Sequence, residues 1–132
     1  MGSKANYLEN QILDHILRGE TYTAPTAVYS ALFTVIPSDS SAGTEVTQAS
    51  SAYTRIATTF TTAGATATGQ SVNSGAVSFT TAAADYGAVV GWALMDAATA
   101  GNMLYWSTVT TVTIASGDQP TFAAGGIVIT ED

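Results

Sequence analysis

The chain has no cysteine, which excludes a disulfide framework and thiolate chemistry and removes any compartment signal from cysteine usage. Charge is scarce as well: 10% of residues are charged, against about 25% in ordinary soluble domains. Only Lys4, Arg18 and Arg55 are positive, and ten acids bring the net charge to −7. Binding to a phosphate backbone needs clustered cations that release counterions, so nucleic acid is excluded as a partner. No apolar run reaches the ~18–20 residues that cross a bilayer, and no membrane partner is expected. The N-terminus lacks the basic, apolar and small-residue order of a secretion signal, so a soluble chain starting near Met1 is expected. Thr, Ser, Ala and Gly fill the space left by charge, and mean hydropathy is only +0.24. A neutral surface of small residues has few charges to guard it against edge pairing or association, and it suits a chain that lives inside an assembly.

Against this background one stretch stands out. Val89 to Ser107 reads as two apolar runs, each with a tryptophan, separated by the polar linker Asp96 to Asn102. In the first run alternation places Val90, Trp92 and Leu94 on one face and Val89, Gly91, Ala93 and Met95 on the other. In the second it places Leu104 and Trp106 opposite Met103, Tyr105 and Ser107. The linker opens with Asp and closes with Gly-Asn, residues suited to turns. The pattern predicts a β-hairpin that supplies much of the core, since one such aromatic buries roughly 150–250 Å².

Tyr7 to Arg18 predicts the one helix. Asn6 and Glu9 have capping-box spacing, and Gly19 suits the C-cap. Leu8, Ile12 and Ile16 form an apolar stripe that Leu13 and Leu17 widen. A three-turn helix is marginal alone. Its face therefore docks on its own sheet or inserts between neighbouring subunits, with Leu8, Ile12, His15 and Ile16 as the interface in the second case.

The rest predicts β structure. Tyr22 to Pro25 is expected to be extended. Val28 to Ile36 alternates as a strand with Tyr29, Ala31, Phe33 and Val35 on one face, and Pro37 ends it. A loop runs to Ala52, long enough to make contacts, with a short extended piece at Thr44 to Val46. Tyr53 to Phe60 is the next strand, with Thr54, Ile56, Thr58 and Phe60 in phase. Thr61 to Gly75 is a loop or a weak edge strand. Ala76 to Phe79, Val109 to Ile114 and Ile127 to Thr130 are further strands, and Ser116 to Pro120 is a turn. Such spacing, with little helix, predicts a mainly β fold: an antiparallel β-sandwich or jelly-roll over residues 20–132 with a helical arm over 1–19. Phe33, Ile56, Phe79, Trp92, Leu94, Leu104 and Trp106 are its expected core.

Catalytic patterns are missing. There is no GxSxG, HExxH, P-loop or EF-hand spacing. The one histidine, His15, sits in the helix beside residues that point elsewhere, and reads as a surface or interface residue. Asp85, Asp96 and Asp118 fall in predicted turns, where carboxylates cap backbone amides; a catalytic pair or a calcium loop is the rival reading. Arg55 reads as a partly buried strand arginine paired with one carboxylate rather than a ligand-binding group. No catalytic, cofactor or metal site is expected.

Six segments in order, NYLEN at Asn6, VYSALFT at Val28, GTEV at Gly43, YTRIA at Tyr53, GWALMDAATAGNMLYW at Gly91 and GDQPTFAAGGIVITED at Gly117, resemble a family of small virion proteins of tailed bacteriophages. Its members are often labelled phage tail fibre protein. The resemblance spans Asn6 to Asp132. One departure is Ala49-Ser50-Ser51-Ala52, where the family often has Gly-Gly-Ser before Tyr-x-Arg. The resemblance implies a non-enzymatic structural protein of the virion, assembled in the host cytoplasm. Small size, the neutral surface and the amphipathic arm favour a homo-oligomeric, preferably trimeric, capsid decoration or cement protein bound to the major capsid protein. A tail fibre, collar or baseplate adaptor is the alternative. A third reading is a glycan-binding β-sandwich module, which requires Trp92, Trp106 or Tyr105 to be exposed.

Overall fold

The computed structural model describes residues 3–47 and 51–131; Ala49 and Ser50, where the family pattern departs, lie outside them. In chain order the elements are β1 (Ser3–Lys4), α1 (Asn6–Arg18), β2 (Val28–Val35), β3 (Thr44–Glu45), β4 (Ile56–Thr58), β5 (Gln70–Val72), β6 (Val77–Ser78), β7 (Gly87–Met95), β8 (Met103–Ile114), β9 (Thr121–Phe122) and β10 (Val128–Thr130). Among the described residues the fold is mainly β with an N-terminal helix, the strand pairs are antiparallel, and no barrel closes.

The hairpin of β7 and β8 forms the centre of a six-stranded sheet. β2 pairs with the free side of β7, β3 and β4 each pair with β2, and β1 pairs with β8. Two ribbons, β5 with β10 and β6 with β9, bring Val77, Phe79, Ile127 and Ile129 into one cluster with Leu32, Val89, Trp92, Leu94 and Ile114 from the sheet. The result is an uneven sandwich. Phe79 is wholly buried, and its ring stacks 6.0 Å from that of Tyr53, which meets Tyr86 edge-on at 5.5 Å. Such pairs add about 0.5–1.5 kcal/mol each beyond area burial. On the opposite face of the sheet Ala31, Phe33, Ala93 and Met95 form a second cluster, with Met103 and Trp106 against it. The loop after β2 is tied to this face: Pro37 is buried, and the Trp106 indole N–H donates to Asp39 at 2.7 Å.

Several expectations are corrected. Leu104 and Trp106 do not share a face. The pairs Leu94–Tyr105 and Met95–Met103 leave Leu104 as an extra residue in β8, so it lines the same hollow as Tyr105 while Trp106 joins the second cluster. Val89 likewise packs with Trp92 and Leu94, because the register shifts between Val89 and Gly91. The expected strand from Tyr53 to Phe60 shortens to β4, and Tyr53, which precedes it, is 1% exposed in the core. Val109–Ile114 is the continuation of β8 rather than a separate strand. No capping box forms at α1: Ala5 is the N-cap and no side chain caps the helix. Ala5 also donates its N–H to Leu104 O, so the chain passes straight from β1 into the helix.

Candidate interaction surfaces

The hairpin turn is held from within and from behind. Asp96 accepts from the Asn102 backbone N–H at 2.7 Å and from its side-chain amide at 2.9 Å. Ala100 and Gly101 both adopt positive φ, 51° and 73°, which completes the reversal. Behind it Arg55, whose side chain is only 7% exposed, donates to the carbonyls of Ala97 and Ala100 at 2.8 and 2.7 Å. The same guanidinium forks onto both oxygens of Glu45 on β3, which also accepts from the Tyr53 hydroxyl at 2.8 Å. The hydrogen bond to Glu45 is the chief reason the Arg55 pKa is raised, against the opposing effect of burial. Burial, then the Glu45 charge, drives the Tyr53 phenol far up. This network sets the exposed tip at Ala98–Ala100 in one orientation.

The helix presents a different surface. Leu8 is buried against the sheet and Ile12 is half-buried, but Leu13, Ile16 and Leu17 are 54, 70 and 75% exposed. Leu8, expected at an intersubunit interface, is corrected to the intramolecular core: the first half of α1 docks on β8. The apolar stripe continues past the sheet. His15 is exposed and donates from Nδ1 to the Glu20 carbonyl at 2.8 Å, fastening the chain that leaves the helix. Sequence reasoning placed Leu13 and Leu17 at the margin of the stripe; their spacing with Ile16 was the available signal for the exposed seam.

The remaining candidates are occupied structurally. Asp85 accepts from Ser116 N and Asp118 from Ala115 N, so both brace one turn. Among the described residues no three His, Asp or Glu side chains are grouped to hold a metal ion. Trp92 is 3% exposed, and its indole N–H has no partner. Trp106 and Tyr105 are partly buried, the latter donating to Glu131 at 2.6 Å. Burial first, then the Glu131 contact, raises the Tyr105 pKa. Phe33, Phe79, Leu94 and Leu104 are buried, while Ile56 packs partly buried against the main core.

A protein-family model described as podophage GP4 fiber I protein gp80 matches residues 3–130. The chain belongs to this family. It is a fibre protein of the phage virion, structural rather than enzymatic. No curated protein matches it. A fibre protein of the virion makes contacts with other virion proteins.

Proposed function

We propose that the chain is a tail-associated fibre component that joins its neighbours through the exposed half of α1, with copies of itself as the partner and three copies as the assembly. The observation that carries this reading is the seam of Leu13, Ile16 and Leu17. Burying a large aliphatic side chain stabilises by roughly 1.5–3 kcal/mol, and the i, i+3, i+4 spacing is that of a helix–helix contact. Asp14, Arg18 and Glu20 pair beside it, supplying the polar rim such contacts carry. Three seams around one axis cover each other without drawing on the sheet.

The family description favours an appendage over capsid decoration, which the sequence alone had favoured through small size and a neutral surface. The glycan reading lacks support, because Trp92 is buried and Trp106 and Tyr105 have their polar atoms engaged. Quantitative mass spectrometry of purified virions separates the first two. A few copies per particle, on the scale of a tail appendage, is expected; copies on the scale of the major capsid protein would instead establish shell decoration. Replacing Leu13, Ile16 and Leu17 by Ser is expected to abolish incorporation into the virion while leaving the circular dichroism of the sheet unchanged.

A further inference from the structure

A hollow of about 330 Å³ opens where α1, the segment from Tyr22 to Pro25 and the β5–β10 ribbon meet the sheet, a volume at the lower end of the range for ligand pockets. Its floor is aliphatic, with Leu94, Leu104 and Ile129 buried; its rim is aromatic, with Tyr22, Phe60 and Tyr105 half-buried. No charged side chain lines it among the described residues. Aromatic rings attract a cation through the negative potential of their faces, and an aliphatic floor suits the stem on which lysine and arginine carry theirs.

Charge just beyond the rim selects the same sign. Burial first, then Tyr7 and Asp96, raises the pKa of Tyr22, so the Asp96 carboxylate acts on this rim through space. Tyr105 donates its hydroxyl to a second carboxylate, Glu131, at 2.6 Å. An anionic ligand would face both acids and find each cation of the chain already bound: Lys4 to Glu131, Arg18 to Asp14 and Glu20, Arg55 to Glu45. These are the only Lys and Arg residues in the sequence. A second copy therefore has no cation to give, and the charge that complements this rim belongs to another protein. The acids also distinguish lysine from arginine. Both oxygens of Asp96 accept from Asn102, and those of Glu131 face Tyr105 and Lys4. Neither carboxylate presents two free oxygens to a guanidinium fork, whereas an ammonium held by rings and through-space charge needs no such seat.

We propose that this hollow receives a lysine side chain of another virion protein, lying with its stem on Leu94, Leu104 and Ile129 and its ammonium at the rim among Tyr22, Phe60 and Tyr105. The site stands on the hollow itself, separate from the α1 seam; the source of the lysine rests on the fibre reading. The test titrates the full chain with N-acetyl-lysine methylamide and with N-acetyl-norleucine methylamide, which keeps the stem and lacks the charge, followed by amide resonances. The lysine amide is expected to shift resonances at Tyr22, Leu104 and Tyr105, to bind about tenfold more tightly than the norleucine amide, and to weaken as salt rises. Tyr22→Phe is expected to keep this binding, and Tyr22→Leu to weaken it about fivefold at unchanged circular dichroism. Equal binding of the two amides would make the hollow a seat for apolar groups and overturn the proposal, as would unmoved resonances up to the solubility limit. If Tyr22→Leu disturbs the fold, the two amides on the unaltered chain decide alone. In purified virions a thiol-to-amine cross-linker on Thr23→Cys is expected to reach a lysine of a different virion protein; reaching only Lys4, or no lysine, would overturn that source. Virion copy number is independent of the amide titration, so the site and the fibre reading fail separately.

Discussion

Arg55 binds both carboxylate oxygens of Glu45, at 2.9 Å from Nε and 2.8 Å from Nη2, while its other terminal nitrogen holds the hairpin turn. One side chain thereby joins β3 to a turn more than forty residues away. Replacing Arg55 by Met strands Glu45 and two carbonyls and is expected to lower stability by about 3 kcal/mol, the low end of the range for breaking a buried pair, because Glu45 is partly solvated. Arg55→Lys is expected to recover only part, since an ammonium cannot fork. Denaturant midpoints check both; a Lys variant as stable as the parent would show that the bidentate geometry is idle.

Asn73 is 1% exposed and fully used. Its side-chain amide donates to Gly75 O and Ala123 O, both at 2.8 Å, and its oxygen accepts from Ile127 N at 2.7 Å. Asn73→Ala leaves a buried N–H and two carbonyls unmet, and the expected loss is about 2–3 kcal/mol, the upper part of the range for one unsatisfied buried group. Hydrogen exchange should accelerate first in β10 and the segment before it. Uniform acceleration across the sheet would argue against a local staple.

Glu131 links Lys4, at 2.5 Å, to Tyr105. Burial alone would raise its pKa, but the hydrogen bonds from Lys4 and Tyr105, together with the Lys4 charge, hold it below the ordinary carboxylate value. A depressed folded-state pKa means the link stabilises above the unfolded value of about 4.3 and is lost as pH falls through the folded one. Thermal midpoints of Glu131→Gln and the parent should therefore differ at neutral pH and converge in acid. Parallel curves down to the lowest pH would contradict this.

Gly101 has φ of +73°, and a Cβ there would lie 2.3 Å from the Asp96 carboxylate. Gly101→Ala meets both an unfavourable backbone region and a steric clash, and should cost about 1–3 kcal/mol. The Asn102 amide resonance is expected to shift as its bond to Asp96 breaks. An unperturbed Asn102 would mean that the turn accommodates the methyl by another route.

The parts of the fold that rest on local pattern were legible. The hairpin, the helix with its Gly19 cap in the left-handed region, and the strand ending before Pro37 all follow from periodicity and turn chemistry. Where pattern and structure part, the cause is a change of register. Leu104 and Val89 follow good alternation, yet each sits beside a shift in the β7–β8 ladder, which alternation cannot reveal. β1 and β9 have two residues each and exist because a partner edge is there to pair with. Arg55 stood out as the only cation beyond Arg18, and its pairing with one carboxylate was expected. Its grip on the turn was hidden, because those carbonyls belong to the backbone and carry no residue-type signal. The apolar stripe of α1 was visible; where the sheet stops beneath it was not.

The Lys4–Glu131 contact brings residue 4 within ion-pairing distance of residue 131, so the described chain is very nearly a ring. Its connectivity could be cut at an exposed bend such as Gly64–Ala67 and resealed across the old ends with a short linker, keeping every strand pair. A body whose first and last strands share one flank can also be spliced as a cassette into a loop of another protein without stretching either.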